Sequence, residues 1–119
     1  MEVINIAEKI DTIKEHWSPK IIGELNGQYV KLVKFKDEFV WHHHENEDEM
    51  FLVIKGELTI SFRDGDKVLN EGEFIIVPKG VEHKPSAKKE VSVLLFEPAA
   101  TLNTGNVEDD FTVRDLDRI

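Results

Sequence analysis

The chain has 119 residues, a formal net charge of −9 and no cysteine. The missing thiols exclude disulfides, thiol catalysis and thiolate zinc sites, and an acidic surface repels nucleic acid and anionic membranes. The length suits one domain with one core of moderate size, and 40% hydrophobic with 33% charged residues is ordinary for a globular chain.

The first residues carry no basic segment followed by an apolar run, and no stretch is apolar for long enough to span a bilayer, so a cytoplasmic protein is expected. Ile6, Ile10, Ile13 and Trp17 recur at helical spacing, and Asn5 with Glu8 three residues on reads as a helix start. The pattern predicts an amphipathic helix over 5–16, ended by Ser18-Pro19. Asn26-Gly27 is a turn signal. From there short strands are predicted over 28–36, 38–44, 49–55, 57–62, 67–70, 73–77, 83–87 and 91–97, with Arg63-Asp64-Gly65-Asp66 as a hairpin turn. That order suggests an all-β jelly-roll sandwich or barrel. Residues 99–119 are polar and acidic, and their packing is left open.

The chain has five histidines, and four lie in two stretches, residues 41–56 and 72–83. On a strand, alternation sends His42 and His44 to one face and Trp41 and His43 to the other. A hairpin through Glu45-Asn46-Glu47-Asp48 brings Glu49 back beside the first pair, with Glu45, Glu47 and Asp48 as rival carboxylates. His83 follows the Pro78-Lys79-Gly80 turn and is the natural fourth ligand. Three imidazoles and a carboxylate suit Fe, Mn, Co, Ni, Cu or Zn better than Mg or Ca. The predicted cofactor is thus one divalent transition metal held by His42, His44, Glu49 and His83. His43 and His16 are expected outside the site. Phe51 and Val53 share the parity of Glu49 and should form an apolar wall. Tyr29 and Lys31 could reach the pocket, but Lys31 is expected on an exposed face.

These residues resemble the two motifs of the cupin superfamily. The first is matched by His42-x-His44, four residues, Glu49, six residues and Gly56, with Lys36 standing where the motif has a leading Gly. The second is matched by Gly72, Pro78, Gly80 and His83, with Ala87 in place of its Asn. Fifteen residues, 57–71, separate the motifs, as in small prokaryotic members. The segments around Trp17-Ser18-Pro19-Lys20 and Leu102-Asn103-Thr104-Gly105 are also similar to single-domain cupins labelled mannose-6-phosphate isomerase-like. The resemblance implies a double-stranded β-helix, or jelly-roll cupin barrel, with a short N-terminal helix. It implies a single domain over 1–119, with its barrel at about 27–97, and a homodimer.

Three functions fit the pattern. The first is a metalloenzyme acting on an unknown small molecule, with oxygenase-like chemistry favoured; its catalytic acid or base is not identifiable from the sequence. The second is a sugar-phosphate isomerase or epimerase, disfavoured because the chain has only Arg63, Arg114 and Arg118 and no phosphate-binding loop. The third is a non-catalytic module that binds a small ligand. The lining of the pocket discriminates among them. A basic lining favours the isomerase, a dry aromatic one with open metal positions favours oxygen chemistry, and a sealed site favours binding.

Overall fold

The computed structural model describes residues 1–119. A helix, α1 (Ile6–Asp11), precedes seven strands: β1 (Lys20–Leu25), β2 (Gln28–Glu38), β3 (Glu49–Lys55), β4 (Leu58–Phe62), β5 (Gly65–Leu69), β6 (Phe74–Val77) and β7 (His83–Pro98). The chain is all-β with a short N-terminal helix, the fold class that the resemblance implies. The principal sheet runs β1-β2-β7-β3-β6, and β4 pairs with β5 and β7. β7 ties the barrel together. Its first residues, His83–Ser86, pair with β4, and its later residues run antiparallel between β2 and β3.

The strands form because the sequence alternates. In β3, Glu49, Phe51 and Val53 are buried while Met50, Leu52 and Ile54 are half-buried on the opposite face. The same phase puts Val33 and Phe35 of β2, and Val91, Val93 and Leu95 of β7, into one interior cluster. The outer face of the principal sheet carries a second, smaller cluster, in which Ile10 and Ile13 lie on Leu32 and Leu94. Asn26 and Gly27, both at positive φ, make the two-residue hairpin between β1 and β2 that their identities call for.

The helix is shorter than the pattern predicts. Its start is as expected, with the Asn5 side-chain oxygen accepting from the Glu8 N–H at 3.0 Å. It stops at Asp11 because the apolar stripe serves two layers. Ile10 and Ile13 stay on the outer face, while Trp17, at φ 60°, drops into the barrel interior. The Lys34 ammonium holds the Ile13 carbonyl at 2.9 Å, and the Trp17 N–H donates to the Lys34 carbonyl at 2.8 Å. A helix of six residues is marginal alone and persists here by packing.

The segment 38–44 is also not the regular strand predicted. β2 continues to Glu38, past an irregularity in register at Phe35/Asp37, and beyond it a single bridge joins His42 to His83. The stretches 83–87 and 91–97 merge into one strand, because the intervening lysines continue along β7 without a turn. In the C-terminal segment, Phe111 packs on Trp17 and Phe39.

Candidate metal centre

Four side chains converge inside the barrel mouth. His42, His44, Glu49 and His83 are all buried, and one potential ligand atom from each lies within 4.8 Å of all the others. Each is placed by a separate local cause. Glu49 is the first residue of β3 and takes that strand's inward phase. His42 and His83 are joined by reciprocal backbone hydrogen bonds. His44 is pinned through its carbonyl, which accepts from the Gly80 N–H at 2.8 Å, so the Pro78-Lys79-Gly80 turn grips the first motif. The parity expected for a strand thus holds without the strand.

Two of the rings are aimed by their own backbone. His42 Nδ1 lies 2.9 Å from the Val40 carbonyl, and His83 Nδ1 lies 2.9 Å from the Val81 carbonyl. These contacts fix the Nδ1–H tautomer and leave each Nε2 as a lone-pair donor. Glu49 Oε1 stands 3.3 Å from both His44 Nε2 and His83 Nε2. Those distances are long and unaligned for hydrogen bonds. The His44 ring nitrogens, His83 Nε2 and Glu49 Oε1 have no hydrogen-bond partner although they are buried. Buried polar atoms left in this way are costly and call for an occupant. Nitrogen lone pairs around a carboxylate oxygen are a donor set that a transition ion satisfies, so the residues fit a metal.

The electrostatics agree with that fit. Burial, aided by the neighbouring His83, lowers the His42 ring to about 4, so it is neutral and able to coordinate at ordinary pH. Burial alone would raise the Glu49 carboxyl, but contact with the His44 and His83 rings holds it well below the usual carboxylate range.

The rival groups are engaged elsewhere. His43 Nε2 contacts Glu45 at 2.5 Å at the surface, and Asp48 accepts from the Lys79 N–H at 2.9 Å. His16 pairs with Glu90 at 2.7 Å. Glu47 is not among the four converging residues.

A small cavity of about 20 Å³ touches His42 and Glu49. It is lined mainly by Trp17, Phe35, Phe39, Phe51 and Leu95, and it has room for one water-sized molecule. Phe51 therefore forms the apolar wall expected of it, and Val53 is buried in the core behind it. The C-terminal segment closes the mouth. Asn103 lines the cavity, the Asn106 N–H donates to the His43 carbonyl at 3.0 Å, and the His43 N–H donates to Asn106 Oδ1 at 2.9 Å.

Lys31 corrects one expectation. It is 1% exposed, not on an exposed face, and its Nζ donates to Glu97 Oε1 at 2.8 Å. Glu97 itself is 1% exposed, and burial together with the adjacent Glu49 carboxylate pushes its carboxyl well above the usual range. A signal for both was present: Lys31 has the parity of Val33 and Phe35, and Glu97 that of Val93 and Leu95. General statistics against burying charge outweighed it.

Comparison with known proteins agrees with this geometry. A family model described as Cupin domain matches residues 29–97. The uncharacterized protein YdbB of Bacillus subtilis is 37% identical over 81 residues, which is 67% of this chain and 72% of that protein. The crystal structure of a cupin-2 domain protein from Shewanella frigidimarina matches with a TM-score of 0.80 at 49% identity, over 81% of this chain and 94% of that one. A Neisseria meningitidis protein of known structure matches with a TM-score of 0.76 at 34% identity, over 82% of this chain and all (100%) of that one. With both motifs in place, four converging side chains and a family match over most of the barrel, the chain belongs to the cupin family.

Proposed function

We propose that this cupin is a metalloenzyme that holds one divalent transition ion through His42, His44, Glu49 and His83 and acts on a small molecule with dioxygen as co-substrate. The observation that carries the reading is the lining of the cavity beside the ligands. Apart from the ligands His42 and Glu49 and the Asn103 amide, it is aromatic and aliphatic, and it contains no lysine or arginine. An apolar chamber of water-molecule size suits dioxygen. When bound, the ion would supply Lewis acidity and, if redox-active, a route for dioxygen activation. The protein's own part is to aim the ring nitrogens, keep His42 neutral and exclude water with Trp17, Phe35, Phe39 and Phe51.

The isomerase reading finds no support in the site. Arg63 stacks over Trp41 at 3.8 Å, Arg114 pairs with Glu108, and Arg118 faces Glu24 and Tyr29. Lys31 is already paired with Glu97. A phosphate would find no free cation at the ligands.

The test is anaerobic loading with Fe(II) followed by nitric oxide as a stand-in for dioxygen. The reading predicts the EPR signal of a high-spin iron–nitrosyl complex. Full iron content with no such signal would mean a sealed site and would favour the non-catalytic binding module.

The assembly belongs to the same proposal. The outer face of the principal sheet is apolar, and at its β6 edge Phe74 is 59% and Ile76 56% exposed. Met50 and Leu52 of β3 lie directly beside them in register. A second copy of the chain is the partner we assign to this face, making a homodimer.

A further inference from the structure

Across the inner faces of β2, β7 and β3 runs a line of three charged side chains, Lys31, Glu97 and Glu49. The register explains it. Tyr29 stands opposite Glu97, and Lys31 opposite Leu95, so Lys31 and Glu97 are diagonal neighbours on one face. Met50 stands opposite Phe96 and Phe51 opposite Leu95, so one step further Glu49 falls beside Glu97. Two carboxyls side by side on neighbouring strands repel and need a reason to be there. Both are buried, and one ammonium, that of Lys31, pairs with Glu97.

The contacts are directional. Lys31 Nζ takes Glu97 Oε1 at 2.8 Å, and Glu97 Oε2 has no hydrogen-bond partner. The register sets the Glu97 side chain beside that of Glu49 on the same inner face, and both are buried. Glu49 in turn presents Oε1 to His44 and His83 at 3.3 Å each. A carboxylate ligand on an unbranched side chain has several rotamers, and something must select the one that faces the imidazoles.

We propose that Lys31 and Glu97 are positioning residues of the metal centre: Lys31 anchors Glu97, and Glu97 holds the Glu49 carboxylate turned toward His44 and His83, which sets the affinity and ligand field of the ion. This rests on the ligand set proposed above. The competing explanation is a buried ion pair that only fills the floor of the barrel. The two differ in what an apolar replacement does. A buried pair with a purely structural role can often be exchanged for apolar residues of similar volume without loss of stability. A pair that aims a ligand cannot be exchanged without changing the metal.

The experiment is Co(II) titration, followed by visible absorption, of the wild type, of Lys31→Met/Glu97→Leu, of Glu97→Gln and of His42→Ala, with thermal unfolding of each metal-free protein. Glu97→Gln keeps an acceptor for Lys31 and offers an amide donor to Glu49, so its affinity should stay within about threefold of wild type. The double variant should fold but bind Co(II) about 10- to 100-fold more weakly, with shifted absorption bands. Wild-type affinity and bands in a folded double variant would overturn the proposal. Should the double variant fail to fold, Lys31→Met alone carries the test, and unshifted Co(II) bands in it would be equally decisive. Undiminished Co(II) binding by His42→Ala would instead sink the ligand assignment, and so keeps the two failures apart.

Discussion

His42 and His83 are bound to each other through their backbones. The His42 N–H donates to the His83 carbonyl at 3.0 Å, and the His83 N–H donates to the His42 carbonyl at 2.9 Å. Each ring is also tied to the carbonyl two residues before it. The two motifs, 41 residues apart in the chain, thus present their histidines by the same local device. The bridge is independent of any ion, so the site is preorganised and the folded chain bears the strain of unsatisfied donors.

Burial of the His42 ring beside His83 has a pH signature in metal-free protein. His42 titrates at about 4 in the fold against an ordinary 6.5. The unfolded chain therefore binds the extra proton first, and the ring's contribution is complete above about pH 6.5 and lost as pH falls toward 4. Glu97 acts oppositely: its raised carboxyl contributes stability below its ordinary 4.5 that is lost as pH rises through the folded value. Comparison with His42→Phe isolates the ring. Urea unfolding at about pH 7 and about pH 4 should show the stability difference moving in the variant's favour by up to about 3 kcal/mol. A difference that does not move with pH would contradict a buried neutral His42.

Trp17 is the keystone of the interior. It stacks on Phe35 at 4.3 Å and on Phe39 at 4.7 Å between ring centroids, and its Nε1–H donates to the Lys36 carbonyl at 2.9 Å. Trp17→Ala should cost about 3–5 kcal/mol in chemical denaturation, through lost burial and the cavity left behind. A loss below about 1 kcal/mol would place the residue at the surface.

Gly105 fixes the C-terminal segment against the site. It has φ 56°, and an added Cβ would collide with the His43 carbonyl oxygen and come within 3.2 Å of the His42 ring. Gly105→Ala should lift this segment, raising amide exchange over 101–113 by at least about tenfold, a local cost of about 1.4 kcal/mol. Unchanged protection there would mean that the segment is not held by this contact.

The exposed sheet face gives an assembly prediction. Wild-type protein should scatter light as a dimer, and Phe74→Lys/Ile76→Lys should run as a monomer of 13.7 kDa with its metal content intact. A monomeric wild type would remove the second copy from the proposal.

Residues whose environment follows from spacing were legible in the sequence. His42, His44, Glu49 and His83 are placed by alternation and turn signals, and they converge as that reasoning expects. The turn at Asn26-Gly27 and the inward face of β3 were legible for the same reason. What failed depended on tertiary partners. Lys31 looks like a solvated residue until Glu97, 66 positions away, is brought beside it. The stripe ending in Trp17 looks like one helical face until the chain turns it into a different layer. Residues 38–44 alternate as a strand does, but their backbone finds a single bridging partner rather than a ladder.

The most direct test of the central claim is metal content by elemental analysis of untagged protein, with His42→Ala, His83→Ala and His43→Ala alongside wild type. The account predicts about one transition ion per chain in wild type and His43→Ala, and a near-complete loss in His42→Ala and His83→Ala. No metal in wild type, even after reconstitution with several divalent ions, or a loss in His43→Ala as complete as in His42→Ala, would contradict it.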